Sequence, residues 1–242
     1  MVRGLQVFFL VLFLIGTAVL GFGAPVNRVT ILALLAGGAP ADEVTRLIQQ
    51  RGLSFQPTLA FLNLVEQAES PHDPDGNSLL RAISAGRLVI PLSPAPPKES
   101  ETLEHLARGA QLDRNVFPPN PEKYAAAESE IRQALQIDSE NPLIHFALGK
   151  VLADEGKFGL AIAEFRQTVI TMPTLSVAHV SLGNALAREG DLNQAIAELR
   201  KAVQLAPDST TARSVLAAVL FRNHDPAPGT RSTSCVRAVA QK

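Results

Sequence analysis

Tryptophan is absent from the 242 residues, and aromatic side chains make up only 5% of them. A core without large rings must be closed by aliphatic groups, and here Ala and Leu supply most of the 46% hydrophobic content. That composition suits closely packed helices with small contact residues and points to an all-α chain. Cysteine is represented once, by Cys235, so no internal disulfide forms and an oxidising compartment is permitted without being required. In its polar surroundings this thiol could at most join two chains. Excess charge is missing too: the formal net charge is −1, which removes any bulk attraction to nucleic acid or to an anionic membrane surface. The catalytic signatures HExxH, GxSxG and GxxxxGK before Ser or Thr do not occur, and the five His have no converging ligand spacing. No catalytic residue, metal or cofactor is therefore expected.

Charge is absent between Arg3 and Arg28. A basic start, the apolar run Leu5 to Gly23 and the small residues Gly21 and Gly23 are the parts of a secretory signal, with cleavage placed after Gly23. The run is longer than the roughly 7–15 residues of an ordinary signal core and near the roughly 20 that span a bilayer. Residues 1–24 are thus either a cleaved signal peptide or a transmembrane signal anchor. Both place the remainder outside the cytoplasm, in the periplasm or on the extracytoplasmic face of the inner membrane.

Residues 29–90 read as a small helical module. The apolar stretch Val29 to Leu35 stops at Gly37-Gly38. Pro40 to Glu43 then opens a helix in which Val44, Leu47 and Ile48 share a face, and Gly52 ends it. A third helix, Thr58 to Ala68, is expected to turn Leu59, Phe61, Leu62, Leu64 and Val65 inward, and Asn77 to Ala85 forms a fourth. The intervening Pro71-His72-Asp73-Pro74-Asp75-Gly76-Asn77 looks like a calcium loop. Counted from Asp73, however, Gly76 is fourth and the twelfth residue is Ser84, so it is a turn. The linker 91–101 carries Pro91, Pro94, Pro96 and Pro97, which no helix continues through.

Beyond it the chain repeats. Leu148-Gly149 returns as Leu182-Gly183, His145 as His179, Leu152 as Leu186, Ala161 as Ala195, Phe165 as Leu199 and Pro173 as Pro207, each after 34 residues. Such a period marks a solenoid of helical pairs. Gly149 and Gly183 are small where two helices would cross, Gly156 and Gly190 lie at the turn between them, and the prolines stop each second helix. The Leu-Gly, Ala, aromatic and Pro positions resemble the tetratricopeptide repeat. That resemblance spans 102–223: repeats 102–141, 142–175 and 176–209, then a terminal helix, 210–223, with Leu216, Ala217 and Leu220 inward. The first repeat holds Gly109, an extended turn containing Pro118-Pro119, and Ala127, Ile131 and Ala134 on its second helix. Residues 224–242 are polar and expected to be disordered. The order of short module, Pro-rich linker and repeats is similar to that of acidobacterial tetratricopeptide proteins and transfers no activity.

The resemblance implies an all-α, right-handed solenoid whose first helices line a groove for a protein or peptide. In that family the second, fifth, ninth, twelfth and thirteenth repeat positions face the groove. Here they supply an apolar floor of Phe146, Val177 and Val180, with Lys150, Asn184, Arg188 and Arg222 around it. Phe221 belongs to the same face. Amide and cations there would fix a peptide's backbone or carboxylates. Leu106 and Ser181 break the family's carboxylate-clamp pattern, so a chaperone C-terminus is not the expected ligand. His145 and His179, at the fourth position, are read as packing residues. The expected role is a binding scaffold or adaptor. The alternative is an accessory subunit of an envelope enzyme system with catalysis on another chain.

Overall fold

A computed structural model describes residues 25–68, 78–86, 98–113 and 120–224. The expected signal or anchor, the turn 71–77, most of the Pro-rich linker, the extended turn 115–120 except Asn120, and the tail from 225 onward lie outside the described residues. Among the described residues there are eleven α-helices and no strand, beyond a single parallel bridge between Val26 and Leu53. No helix among them is long and apolar enough to cross a membrane. The chain divides into two compact units, residues 1–147 and 148–242.

The first unit begins with α1 (Arg28–Ala36), capped by Asn27, whose Oδ1 accepts from the Thr30 amide at 2.7 Å. Its sequence RVTILALLA is apolar on every face, and a helix of that kind must be enclosed. Every residue from Ile31 to Ala36 is buried. Helix α2 (Ala41–Arg51) starts after Pro40 with Asp42 and Glu43 in its first turn, and stops at Gly52, whose φ of 72° admits no ordinary side chain. Helices α3 (Leu59–Ala68) and α4 (Ser78–Ala85) complete the module, α1 packing on α2 and α3, and α2 on α4. Phe61 and Val65 are buried and Phe61 meets Phe55 edge-on at 5.0 Å. The expected inward Leu59 is instead 81% exposed: it is the first residue of α3, on the side opposite Phe61 and Val65.

The first repeat is α5 (Glu99–Asp113) packed on α6 (Pro121–Ile137). Asn120 caps α6 by accepting from the Glu122 and Lys123 amides, with Pro121 at the first helical position. Ala127, Ile131 and Ala134 are fully buried. Helix α5 also packs on α1 and α3. The described module and the first repeat therefore share one compact unit, which ends within α7 (Pro142–Asp154).

The second unit continues through α8 (Phe158–Thr171), α9 (Ser176–Glu189), α10 (Leu192–Leu205) and α11 (Thr210–His224). Each packs on the next, and α9 also packs on α11, the relation of successive first helices in a stack. Gly190, at φ 105°, ends α9 in the left-handed conformation, and its amide donates to the Leu186 carbonyl. In α11 the inward face is Ala212 and Val219. Leu216 and Leu220 are half-buried and Ala217 is exposed. The expected register is thus shifted, because only the side of α11 turned to α9 and α10 is covered. Helix α11 also runs one residue further, to His224, than the expected end of the repeats.

Candidate functional site

The repeat-defining residues form the helix crossings. A Cβ built on Gly149 would lie 2.7 Å from Phe165 Cε1, and one on Gly183 would lie 2.6 Å from Leu199 Cγ. Both distances are below carbon contact, so the missing side chain is what lets the helices approach. Leu148, Ala161, Leu182 and Ala195 are buried around these crossings. Pro173 and Pro207 follow the caps Met172 and Ala206 and are themselves exposed. They act as stops for α8 and α10 without contributing to the core.

The fourth repeat position does more than pack. His179 is fully buried, its Nε2–H donates to the Pro173 carbonyl at 3.0 Å, and its Nδ1 meets Glu198 Oε2 at 2.6 Å. In the first repeat the equivalent His105 meets Glu130 through Nδ1 at 2.7 Å. His145 occupies this position in the middle repeat, with Nε2 3.4 Å from the Ser139 carbonyl. Glu164 stands there at the position of Glu130 and Glu198. The His105–Glu130 and His179–Glu198 pairs each fasten a first helix to its second through polar groups that burial would otherwise leave unmet. The carboxylates were not anticipated, although Glu164 and Glu198 share the 34-residue spacing of His145 and His179.

The groove residues are not alike. Phe146 is fully buried with its ring against the backbone of Gly37, and it offers no surface. Val177 and Val180 are buried as well. Asn184 and Arg188 are exposed one helical turn apart on α9. The Arg188 guanidinium lies 6.0 Å from the centre of the Phe158 ring, within cation–π range. Lys150, at the same repeat position as Asn184, pairs along α7 with Asp154. Arg222 donates from Nη1 to the Ala187 carbonyl at 2.8 Å and so pins α11 to the end of α9. That satisfies one of the carbonyls left over at a helix C-terminus, which favours a cation. Of the four polar groove residues, Lys150 is held by its ion pair and Arg222 by its bond to Ala187, whereas Asn184 and Arg188 are exposed and, among the described residues, held by neither kind of bond. Phe221, also on this side by repeat phase, is 72% exposed. Among the described residues no group of three or more His, Cys, Asp or Glu could hold a metal ion.

No curated protein sequence matches the chain significantly. Among solved structures it is similar to the first tetratricopeptide domain of Spaghetti (RPAP3), determined bound to the HSP90 peptide SRMEEVD. The identity is 17%, over 52% of this chain and 95% of that one, with a TM-score of 0.46. Residues 122–173 match a family model described as tetratricopeptide repeat, and residues 183–223 match one described as TPR repeat. With their Gly, Ala and bulky positions packed as the repeat requires, these segments make the chain a tetratricopeptide-repeat protein.

Proposed function

We propose that the chain is an exported binding scaffold that holds an extended, acidic peptide segment of a partner protein on α9, through Asn184 and Arg188. The observation that carries this is their pairing on one exposed helical face. An amide that can both donate and accept stands one turn from a guanidinium that makes no salt bridge among the described residues. The amide suits a peptide backbone and the guanidinium suits a carboxylate, which it grips bidentately. The Phe158 ring behind Arg188 limits the rotamers that binding must freeze. Lys150 adds positive potential from the preceding repeat, reduced by its pairing with Asp154.

Panning a random-peptide library on the full chain tests this. Selected peptides should be rich in Asp and Glu and should bind more weakly as salt rises. Charged hydrogen bonds are worth about 1.5–3 kcal/mol each, so the double substitution Asn184→Ala with Arg188→Ala should weaken binding at least about tenfold. Selection of neutral peptides indifferent to the double substitution would remove the site from α9. Export is tested separately: alkaline phosphatase fused after residue 100 should be active in bacteria, and an inactive fusion refutes export.

A further inference from the structure

The first repeat has the same groove-facing positions as the later ones, and they are already covered. Leu103, Leu106 and Ala110 are its second, fifth and ninth residues, and all three are buried. With Glu99 they form a stripe at i, i+4, i+7 and i+11 along α5. The neighbouring side of α5 belongs to α6, through His105 with Glu130 and Gly109 with Ile131. The stripe itself is turned to the module. Glu99, nearly buried, accepts from Arg28 of α1 at 3.3 Å, and α1 and α3 are the other helices packed on α5. The Arg28 guanidinium also lies 4.7 Å over the Phe55 ring, which fixes it from the module side. One turn of stack later, Phe146, the fifth residue of the second repeat, is closed by Gly37 at the end of α1.

We propose that α1, supported by α3, is an intramolecular ligand seated on the groove side of the first repeat and of Phe146. The occupant's chemistry fits the seat. An apolar helix packs on the one that carries Leu103, Leu106 and Ala110, its end closes Phe146, and its one cation meets the stripe's one carboxylate. Recognition by this stretch of the solenoid is therefore spent internally on a hydrophobic helix. A partner reaches it only by displacing α1. This assignment does not rest on the peptide site at Asn184 and Arg188, and its test uses no peptide.

The test keeps the chain whole until it is folded. A specific protease site is placed within 91–97 of the full chain, the purified protein is cut, and the two pieces are followed by size-exclusion chromatography and by sedimentation on dilution. The pieces should remain together at micromolar concentration. Arg28→Glu should raise their dissociation constant at least about tenfold, through repulsion from Glu99, and adding Glu99→Arg should recover most of it. Separation of the wild-type pieces at micromolar concentration overturns the proposal. So does a dissociation constant that neither the charge reversal nor the swap moves.

Discussion

Ala110, Lys150 and Asn184 occupy the same position in three successive repeats, and their surroundings differ. Ala110 lies under the module at 7% exposure, Lys150 is half-buried and paired with Asp154, and Asn184 stands in solvent. The fifth position is buried in all three repeats, Leu106 and Phe146 at 0% and Val180 at 9%, so the contrast lies at the ninth. Repeat phase decides which way a side chain points. Whether it is free to meet a partner depends on what else the chain lays over it, and the 34-residue period carries no information about that. An apolar position under α1 and a polar position on α9 are each suited to their own environment: the first is bound already, the second is available.

The strongest way to break this comparison is to disturb what the repeats share. Gly149→Leu and Gly183→Leu push a side chain into Phe165 and Leu199, and overpacking of this sort costs about 1–3 kcal/mol or more. Urea denaturation midpoints should fall in both variants, and unchanged midpoints would mean the helix crossings are misplaced. The histidine latches come next. Glu198→Ala leaves Nδ1 of the fully buried His179 unpaired, a loss of about 1–3 kcal/mol. Glu130→Ala should cost less, because the His105 side chain is 13% exposed and water can replace part of the bond. Equal losses would remove burial as the cause. Arg222→Ala should cost about 1 kcal/mol and raise amide exchange in α11 relative to α9, since its bond to Ala187 joins the two helices. The smallest change is at Gly159, where an added Cβ meets nothing within 4 Å: Gly159→Ala should stabilise by at most about 1 kcal/mol through helix propensity. A loss of stability there would show unrecognised crowding.

Much of the fold was legible because small residues at a fixed period have one packing solution. Spacing implied close crossings at Gly149 and Gly183, and the side chains that meet there are Phe165 and Leu199. The helix ends followed from local chemistry, as at Gly52 and Gly190. The terminal helix was harder. Register in α11 depends on which side α9 and α10 cover, so Ala217 came out exposed and Val219 buried. The site was less legible than the fold. Arg222 has the residue type of a ligand contact, yet its reach to the Ala187 carbonyl depends on the stacking of α11 on α9. Phe146 read as a groove floor because nothing in a repeat tells how a helix more than a hundred residues earlier will return to it. The one sign was in α1 itself, whose lack of any polar face requires burial against something.

Thiol labelling compares the two regions at equivalent positions. With Cys235→Ser as background, Ala110→Cys and Asn184→Cys are small changes at the ninth residue of the first and third repeats, and both can be checked for native helicity and melting. Under folded conditions Asn184→Cys should react with a maleimide at the rate of a free peptide thiol, while Ala110→Cys should be at least about a hundredfold slower, limited by openings of α1 from α5. Equal labelling rates at the two positions, in variants that melt like the parent, would contradict the self-occupied first repeat and with it the division of the groove.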